Sequence, residues 1–394
     1  MEHQRTPESA DIEISVLIPC LNEAETLGIC IEKCTNTFRE YNISGEVVVA
    51  DNGSTDGSLD IATAKGARVV HVPQKGYGAA LQGGIAGSHG HFIIMGDADD
   101  SYDFREIPRF LEKLRAGSEL VLGCRLPSGG GRVMPGAMPW LHRWIGNPGL
   151  SFLVRWWFRA PIHDVYCGLR GFTKSLYERL DQRCTGMEFA TEMVIKSSLF
   201  NARITEVPIT LHPDGRKTRK PHLRTFHDGW RTLRFFLIYS PKWLFLVPGL
   251  FFIALGMLGY ALALPRLTIG SIRPDAHTLL FASLTILVGY QSIQFGILAK
   301  AFAVTEGLLP HDKRLDAGLR LIPLERGIML GLLFSLVGTA LLGVALRGWQ
   351  LAGFGDLDYA KTMRIVVPGI TLCALGAQTI MACFLLNLLG TSRR

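Results

Sequence analysis

Residues 91–103, HFIIMGDADDSYD, combine a short apolar run with four carboxylates in seven residues, and this stretch decides the fold of the chain. The run at 92–95 has the length of a buried strand, and acidic side chains just after such a strand lie where open α/β sheets bind ligands. Mg²⁺ favours one or two carboxylates together with substrate phosphate oxygens. Asp97-Ala98-Asp99 is therefore the first candidate for a metal–diphosphate site. An isolated D-x-D is more often a solvated acidic turn, so the rest of the chain has to decide.

Composition predicts two domains and contact with a membrane or with phosphate groups. The chain has 394 residues, of which 19% are charged and 48% are hydrophobic. This composition is more apolar than is usual for a purely soluble enzyme. The net charge of +7 suits an anionic membrane surface or a phosphate-bearing ligand. The eight cysteines form no C-x-x-C pair, which favours free thiols in a reducing compartment over a disulfide framework or a zinc site.

Before residue 240, apolar runs of strand length alternate with helical patterns. This alternation predicts βαβ units and a mostly parallel, Rossmann-like α/β sheet at 12–240, after a polar tail at 1–11. The strand candidates are 14–20, 46–51, 67–73, 91–97 and 120–125, and the helix candidates are 23–38, 57–65, 77–87 and 105–115.

Four uncharged stretches of at least 20 residues follow residue 240, at 243–264, 278–299, 327–346 and 365–390. A helix needs about 20 apolar residues to cross ~30 Å of hydrocarbon, so we predict a four-helix transmembrane domain at 241–394. Four buried core helices are the weaker alternative. Basic residues concentrate before the first stretch, between the second and third, and at the C-terminus. This bias predicts an integral protein of the plasma (inner) membrane whose soluble domain and C-terminus are cytoplasmic.

Two further strands are predicted to end in polar segments. ADNGSTDG at 50–57 follows the second strand, and IPCLNE at 18–23 ends the first. Ser54, Thr55 or Asp56 is a natural helix cap, but Asp51 stands at the strand tip, as Asp97 and Asp99 do. Because the carboxyl ends of parallel strands meet at one edge, we expect three strand tips to converge on one crevice.

The segments VLIPCLNEAETL, VVVADNGSTDGS, GYGAALQGGI and FIIMGDADDSYD occur in an order that resembles the GT-A domain of family 2 inverting glycosyltransferases. The resemblance covers about residues 12–240. Within the family, this part of the sequence is similar to the polyprenyl-phosphate sugar transferases, such as dolichyl-phosphate mannose synthases and undecaprenyl-phosphate glucosyltransferases. It implies a nucleotide-sugar site and a Mg²⁺ or Mn²⁺ held against the diphosphate. The implied nucleotide-sugar contacts are Pro19, Leu21, Glu23, Asp51 and Asp97-Ala98-Asp99, and the implied metal ligands include Asp97 and Asp99. Ser101 is the candidate third metal ligand, but it stands where mannose synthases commonly carry a glutamine, which leaves this assignment open.

The segment 140–160, WLHRWIGNPGLSFLVRWWFRA, is rich in Trp, Phe and Arg and too charged to span a membrane. This composition predicts an interfacial helix, with an ordinary amphipathic helix covering the sheet as the alternative. The resemblance implies that Arg125, at the tip of the fifth strand, and Arg143 hold the phosphate of a lipid acceptor. Asn147 stands where some family members have serine.

Asp164 is the one carboxylate in IHDVYCGLRGF at 162–172, which resembles the acceptor loop of the family. It is a candidate catalytic acid/base or acceptor-orienting group, so that Asp99, Asp164 and Arg125 form the predicted catalytic set. A salt bridge from Asp164 to Arg170 or Arg143 is the open alternative. Glu188 and Glu192, one helical turn apart, are expected to be structural, with a contact to the donor sugar as the open alternative.

The segment 212–234 carries seven basic residues against two acidic ones. Such a run is usually a solvated face, but before a membrane span it attracts anionic headgroups, which predicts a second interfacial helix at about 222–240. The resemblance implies a basic loop over the diphosphate, with Arg216, Lys217 and Lys220 as clamps. We expect no nucleic-acid partner, because no recognition motif accompanies the charge.

These patterns predict a membrane glycosyltransferase that moves one hexose from UDP-glucose or GDP-mannose to undecaprenyl or dolichyl phosphate with inversion. A phosphate monoester with a second pKa near ~6 is mostly a dianion at neutral pH and needs no strong base. A processive polysaccharide synthase is an alternative, although the usual Q-x-x-R-W is absent. A lipid-sugar flippase or docking protein with a donor-binding domain is another. A homo-oligomer through the membrane domain is also open.

KGYGAAL at 75–81 mimics a dinucleotide-binding fingerprint. Leu81 stands where close helix–sheet packing needs Gly or Ala, so a dehydrogenase is disfavoured. We expect these glycines to let the backbone approach a ligand or a neighbouring strand.

Overall fold

A computed structural model describes residues 12–216, 225–265, 273–310 and 324–391. The chain forms two compact units, Met1–Phe236 and Leu237–Arg394. The boundary lies close to the predicted division near residue 240. The predicted polar tail at 1–11 falls outside the described residues.

The first unit contains a large mixed sheet. Its strands are β1 (Ile14–Cys20), β2 (Gly45–Asp51), β3 (Arg68–His71), β4 (Phe92–Met95), β5 (Leu120–Cys124), β6 (Arg132–Val133), β7 (Arg170–Thr173), β8 (Ile204–Pro208) and β9 (Thr210–Leu211). The seven-stranded sheet has the order β3-β2-β1-β4-β7-β5-β8, and β6 pairs with β9. Every pairing in the large sheet is parallel except those of β7. The predicted mostly parallel α/β architecture is confirmed.

Helices connect the strands and cover the sheet. They are α1 (Leu27–Glu40), α2 (Ser58–Ala64), α3 (Tyr77–Gly87), α4 (Ile107–Arg115), α5 (Asn147–Phe158), α6 (Lys174–Leu180), α7 (Glu188–Leu199) and α8 (Thr225–Ile238). In α4 the apolar side chains recur at helical spacing and are buried: Ile107, Phe110, Leu111 and Leu114. Burying each such side chain contributes about 1.5–3 kcal/mol, so this stripe fixes α4 against the sheet. The predicted helices begin and end within four residues of the observed ones.

Strand β7 lies antiparallel between β4 and β5 and was missed by the sequence analysis. RGFT is only four residues long and begins with a charge, which is untypical of a central strand. Arg170 is nevertheless fully buried, and its Nη1 and Nη2 atoms donate to the carbonyl oxygens of Ala190 (2.6 Å) and Cys167 (2.5 Å). Backbone carbonyls therefore accommodate the charge, a solution that the local sequence does not display.

The second unit contains four helices long and apolar enough to cross a membrane. They are α9 (Val247–Ala263), which follows a π-helical turn at Lys242–Leu246, α10 (Ala276–Thr305), α11 (Leu324–Leu351) and α12 (Tyr359–Thr391). The four predicted spans are confirmed as helices. Most of them extend beyond the predicted limits because the structure includes polar terminal turns.

Close backbone approach and shared hydroxyl groups hold this unit together. A Cβ added to Gly249 would lie 2.8 Å from the carbonyl oxygen of Gly289, so α9 and α10 meet at small residues, as membrane helices commonly do. The hydroxyl oxygens of Tyr260, Ser283 and Thr371 lie 2.6–3.1 Å apart and join α9, α10 and α12. These three hydroxyl groups are thus paired with one another.

Candidate active site

The carboxyl ends of three adjacent parallel strands bring together the acidic residues that the sequence analysis singled out. Glu23 follows β1, Asp51 ends β2, and Asp97 and Asp99 follow β4. β1 lies between β2 and β4, and Cys20 is in register with Asp51. The predicted convergence of strand tips is therefore present. These tips form one crevice at the carboxyl edge of the sheet, where open α/β folds bind ligands.

Asp51 is a buried acceptor at the tip of β2. Its Oδ1 accepts the backbone N–H of Ser54 (2.8 Å), and its Oδ2 lies 3.3 Å from Nδ1 of His71. Burial raises the pKa of the Asp51 carboxyl, but the hydrogen bonds from Ser54 and His71 outweigh it, and the pKa is lowered. The group is therefore ionised at neutral pH. Pro19 is partly exposed nearby on β1, and Leu21 is largely exposed.

Asp97 and Asp99 are close enough for their negative charges to repel each other. Burial, followed by the charge of Asp99, raises the pKa of Asp97 to about 6. Among the described residues no group of three or more His, Cys, Asp and Glu side chains is arranged to hold a metal ion. A divalent cation would thus take two protein carboxylates and complete its shell with phosphate oxygens and water, which is the habit of Mg²⁺. This donor set fits the predicted metal, and the intervening Ala98 is buried.

Ser101 contacts Asp99. Its hydroxyl donates to Oδ1 of Asp99 at 2.6 Å, and its backbone N–H lies 3.1 Å from the same oxygen. Ser101 therefore orients the carboxylate of Asp99. The role of Ser101 as a third metal ligand stays a prediction.

Arg216 links three carboxylates from different parts of the chain. It donates to Glu23 (2.9 Å), to Asp99 (3.3 Å) and to Asp214 (2.6 Å), and its side chain is 14% exposed. Burial raises the pKa of Glu23 although Arg216 lowers it in part. Arg216 therefore places a positive charge beside Glu23 and Asp99, and its contact with a diphosphate stays a prediction. Lys217 and Lys220 lie outside the described residues.

Arg125 and Asp164 form a buried ion pair instead of standing free. Nε and Nη2 of Arg125 donate to the two oxygens of Asp164 at 2.7 and 2.9 Å, and Nη1 lies 3.4 Å from the hydroxyl of Tyr102. Burial raises the pKa of Asp164, but Arg125 outweighs it and the pKa is lowered. The alternative pairing of Asp164 with Arg170 or Arg143 is wrong: the partner is Arg125, which the fold delivers from the tip of β5.

The segment with Arg143 and Asn147 forms a π-helical turn (His142–Gly146) followed by α5. The Nε atom of Arg143 is buried and has no hydrogen-bond partner, and its guanidinium carbon lies 5.2 Å from the ring centroid of Trp144. The amide of Asn147 contacts the sulfur of Met138 at 3.4 Å. Large aromatic side chains on this segment are more than half exposed: Trp140, Trp144, Phe152 and Trp156.

Comparison with known proteins places the chain in a family. Residues 15–181 match the family 2 glycosyltransferase model, and residues 297–390 match the C-terminal transmembrane region of family 2 glycosyltransferases. The low-salt glycan biosynthesis hexosyltransferase Agl6 of Haloferax volcanii is 35% identical over 388 residues, which cover 97% of this chain and 91% of that protein. The chain belongs to glycosyltransferase family 2.

Two further similarities cover between half and three fifths of the chain. The dolichyl-phosphate hexose transferase of Haloferax volcanii is 27% identical over 208 residues, which cover 52% of this chain and 86% of that protein. Glucosyl-3-phosphoglycerate synthase from Mycobacterium tuberculosis, crystallised with Mn²⁺ and UDP, aligns over 58% of this chain and 78% of that one at 21% identity and a TM-score of 0.44. The family match and the four apolar helices make this protein an integral membrane glycosyltransferase, as predicted.

In this family 2 glycosyltransferase, sequence reasoning left several structural and site residues without a role. Tyr77 donates its hydroxyl to Asp97 (3.0 Å), and Tyr102 accepts the backbone N–H of Gly168 (2.8 Å). A tyrosine between two glycines, as in GYG at 76–78, was the available signal, but the sequence analysis interpreted only the glycines and gave Tyr77 no role. Glu192 forms a buried pair with Lys196, and Glu188 pairs with Arg231.

Proposed function

We propose that this enzyme transfers one hexose from a nucleotide sugar to a polyprenyl phosphate with inversion at the anomeric carbon. The observation that carries the proposal is that Arg216 bridges Glu23 and Asp99 at the strand tips, where Asp51 ends the neighbouring strand, in a chain that also has four span-length helices. An acidic strand-tip site with a partly buried arginine suits a nucleoside diphosphate and its cation. A lipid acceptor explains why the catalytic unit belongs to a membrane protein.

The donor half of the site comprises the tips of β1, β2 and β4. Asp51 is ionised and accepts hydrogen bonds, so it suits the N–H group of a pyrimidine or purine base, with Pro19 and Leu21 as apolar neighbours. Asp97 and Asp99 would hold Mg²⁺ or Mn²⁺ at the diphosphate. That ion, when bound, supplies Lewis-acid neutralisation of the leaving diphosphate. Arg216 adds a positive charge to the same group.

The reaction needs no strong base. The acceptor is a phosphate dianion, so one of its oxygens attacks the anomeric carbon with its own electron pair. The bond from that carbon to the diphosphate breaks, and its electrons leave with the nucleoside diphosphate. In-line attack inverts the configuration. The chain contributes chiefly by holding the two phosphates in line, and such orientation accounts for a large part of the rate.

Acceptor binding falls to Arg143 more than to Arg125. Arg143 has a free Nε and lies in the aromatic segment, whereas the guanidinium of Arg125 is buried against Asp164. In this proposal Asp164 positions Arg125 and through it Tyr102, and its service as a general acid or base is not needed. Asn147 is a neighbouring polar group one turn further along. The exposed Trp and Phe side chains of 140–160 suit a membrane interface on the cytoplasmic side of the plasma membrane.

The test uses purified full-length protein in detergent with undecaprenyl or dolichyl phosphate, Mn²⁺ or Mg²⁺, and radiolabelled UDP-glucose and GDP-mannose in parallel. We expect one labelled lipid in the organic phase, lost on chelation and lost in Asp99→Asn. A water-insoluble polymer would contradict the proposal in favour of a processive synthase. No labelled lipid from either donor would favour the flippase or docking alternative.

A further inference from the structure

One oxygen of the predicted metal ligand Asp97 accepts a hydrogen bond, and its other oxygen lies close to the backbone of Gly168. The hydroxyl of Tyr77 donates to Oδ1 at 3.0 Å. On the other side, Gly168 lies so close that an added Cβ would stand 2.6 Å from Oδ2. Neither group is a neighbour of Asp97 in sequence. The orientation of this carboxylate is therefore set by tertiary contacts.

Tyr77 is the first residue of α3, and two glycines fix where that helix begins. Gly76 has a φ of +134°, and a Cβ there would lie 2.4 Å from the carbonyl oxygen of Thr185. A Cβ on Gly78 would lie 2.5 Å from the carbonyl oxygen of Cys184. The N–H of Ala79 donates to the Thr185 carbonyl at 3.0 Å. The glycines of 76–78 thus allow close backbone approach to the loop at 184–186, not to a dinucleotide.

A second set of contacts ties the start of α3 to the tip of β2. The N–H of Gly76 donates to Oδ1 of Asn52 (2.9 Å), and the amide of Asn52 donates to the carbonyl oxygens of Val72 (3.0 Å) and Gln74 (2.7 Å). Asn52 directly follows Asp51. The backbone that carries Tyr77 is therefore bound on two sides, which fixes the start of α3 beside the tip of β2.

We propose that Tyr77 is a positioning residue that pre-organises Asp97 for a divalent cation. This inference rests on the proposed function, because it assumes that Asp97 and Asp99 hold the metal. A phenylalanine would fill the same space, so only the hydroxyl distinguishes a positioning role from a packing role. Groups that hydrogen-bond a metal-ligating carboxylate commonly change metal affinity by 10- to 100-fold when removed.

Mn²⁺ binding to the full-length protein in detergent separates the two roles. Free Mn²⁺ is measured by electron paramagnetic resonance, with and without UDP or GDP, for the natural protein, for Tyr77→Phe and for Tyr177→Phe. Tyr177 is the matched control, since its ring packs between Phe172 and Phe189 away from the crevice. We expect Mn²⁺ affinity to fall about 10-fold or more in Tyr77→Phe and to stay unchanged in Tyr177→Phe.

Coupling to Asp97 provides the decisive comparison. In an Asp97→Asn background, Tyr77→Phe should weaken Mn²⁺ binding no further. Unchanged Mn²⁺ affinity in Tyr77→Phe, or a loss of thermal stability with unchanged affinity, would overturn the inference. If the natural protein binds no Mn²⁺ in the presence of either nucleotide, the metal-dependent function itself fails, and with it this inference. The two failures are therefore distinguishable.

Discussion

Arg125 and Asp164 form a bidentate ion pair that is almost completely shielded from solvent. The Nε–Oδ2 distance is 2.7 Å, the side chain of Arg125 is 8% exposed, and that of Asp164 is fully buried. The backbone N–H groups of Arg125 and Tyr166 also donate to Asp164. Both charges are thus satisfied within the protein. The pair connects the tip of β5 with the segment at 162–172.

Removing the charge of Asp164 should destabilise the soluble unit. Leaving one partner of a buried pair uncompensated costs about 3–5 kcal/mol, so Asp164→Asn should lower the melting temperature by roughly 10 °C. Differential scanning fluorimetry of the detergent-solubilised protein measures this change. Asp181→Asn is the control, because its pair with Arg183 is exposed and should contribute under about 1 kcal/mol. Equal melting temperatures for the two variants would contradict the prediction.

Arg216→Ala should weaken use of the nucleotide sugar. The variant removes the only described side chain that bridges Glu23, Asp99 and Asp214, and hydrogen bonds to charged groups contribute about 1.5–3 kcal/mol. We expect kcat/KM for the donor to fall about 10- to 150-fold, with the loss seen in titrations of the donor. Arg105→Ala, which breaks an exposed pair with Asp103, is the control. An unchanged kcat/KM in Arg216→Ala would exclude a role for Arg216 in binding the diphosphate of the donor.

The buried pair of Glu192 and Lys196 predicts a pH dependence of stability. Burial raises the pKa of Glu192, but Lys196 and the N–H of Cys184 outweigh it, so the pKa lies below its ordinary value of 4.5. A lowered carboxyl pKa contributes stability that is present above the ordinary pKa and is lost as pH falls through the native pKa. The difference in melting temperature between natural protein and Glu192→Gln should therefore shrink below about pH 4.5.

The exposed Glu112 provides the control for that experiment. Glu112→Gln should leave the melting curve unchanged at every pH, because its pair with Lys113 is solvated. A Glu192→Gln effect that is constant from pH 7 to pH 3 would show that the charge of Glu192 is not responsible.

Thr371→Val should loosen the membrane unit slightly. It deletes the hydroxyl that bonds Ser283 (2.9 Å) and Tyr260 (3.1 Å), and such interhelical bonds contribute about 0.6 kcal/mol on average and up to ~1.7. Unfolding in mixed detergent micelles measures the loss. Thr339→Val is the control, since its exposed hydroxyl is 3.8 Å from the sulfur of Cys373. An equal effect in both variants would refute a role for the hydroxyl cluster.

Local patterns in the sequence determined the architecture of this protein. Strand-length apolar runs that end in Asp51 and Asp97, and four uncharged stretches after residue 240, depend only on neighbouring residues. Strand β7 escaped because a four-residue segment that starts with Arg170 has no strand signal of its own. Its place between β4 and β5 follows from pairing with distant strands.

Only the tertiary structure decided which side chains meet. Tyr77 reaches Asp97 across 20 residues, Arg125 reaches Asp164 across 39, and Arg216 reaches Glu23 across 193. The sequence showed that these residues carried suitable chemistry, and it named all but Tyr77 as site candidates. Their partners depend on strand order and on backbone approaches such as that of Gly76 to Thr185, which no local pattern encodes. The local sequence shows which residues have suitable functional groups, whereas packing between distant segments determines which of those groups contact one another.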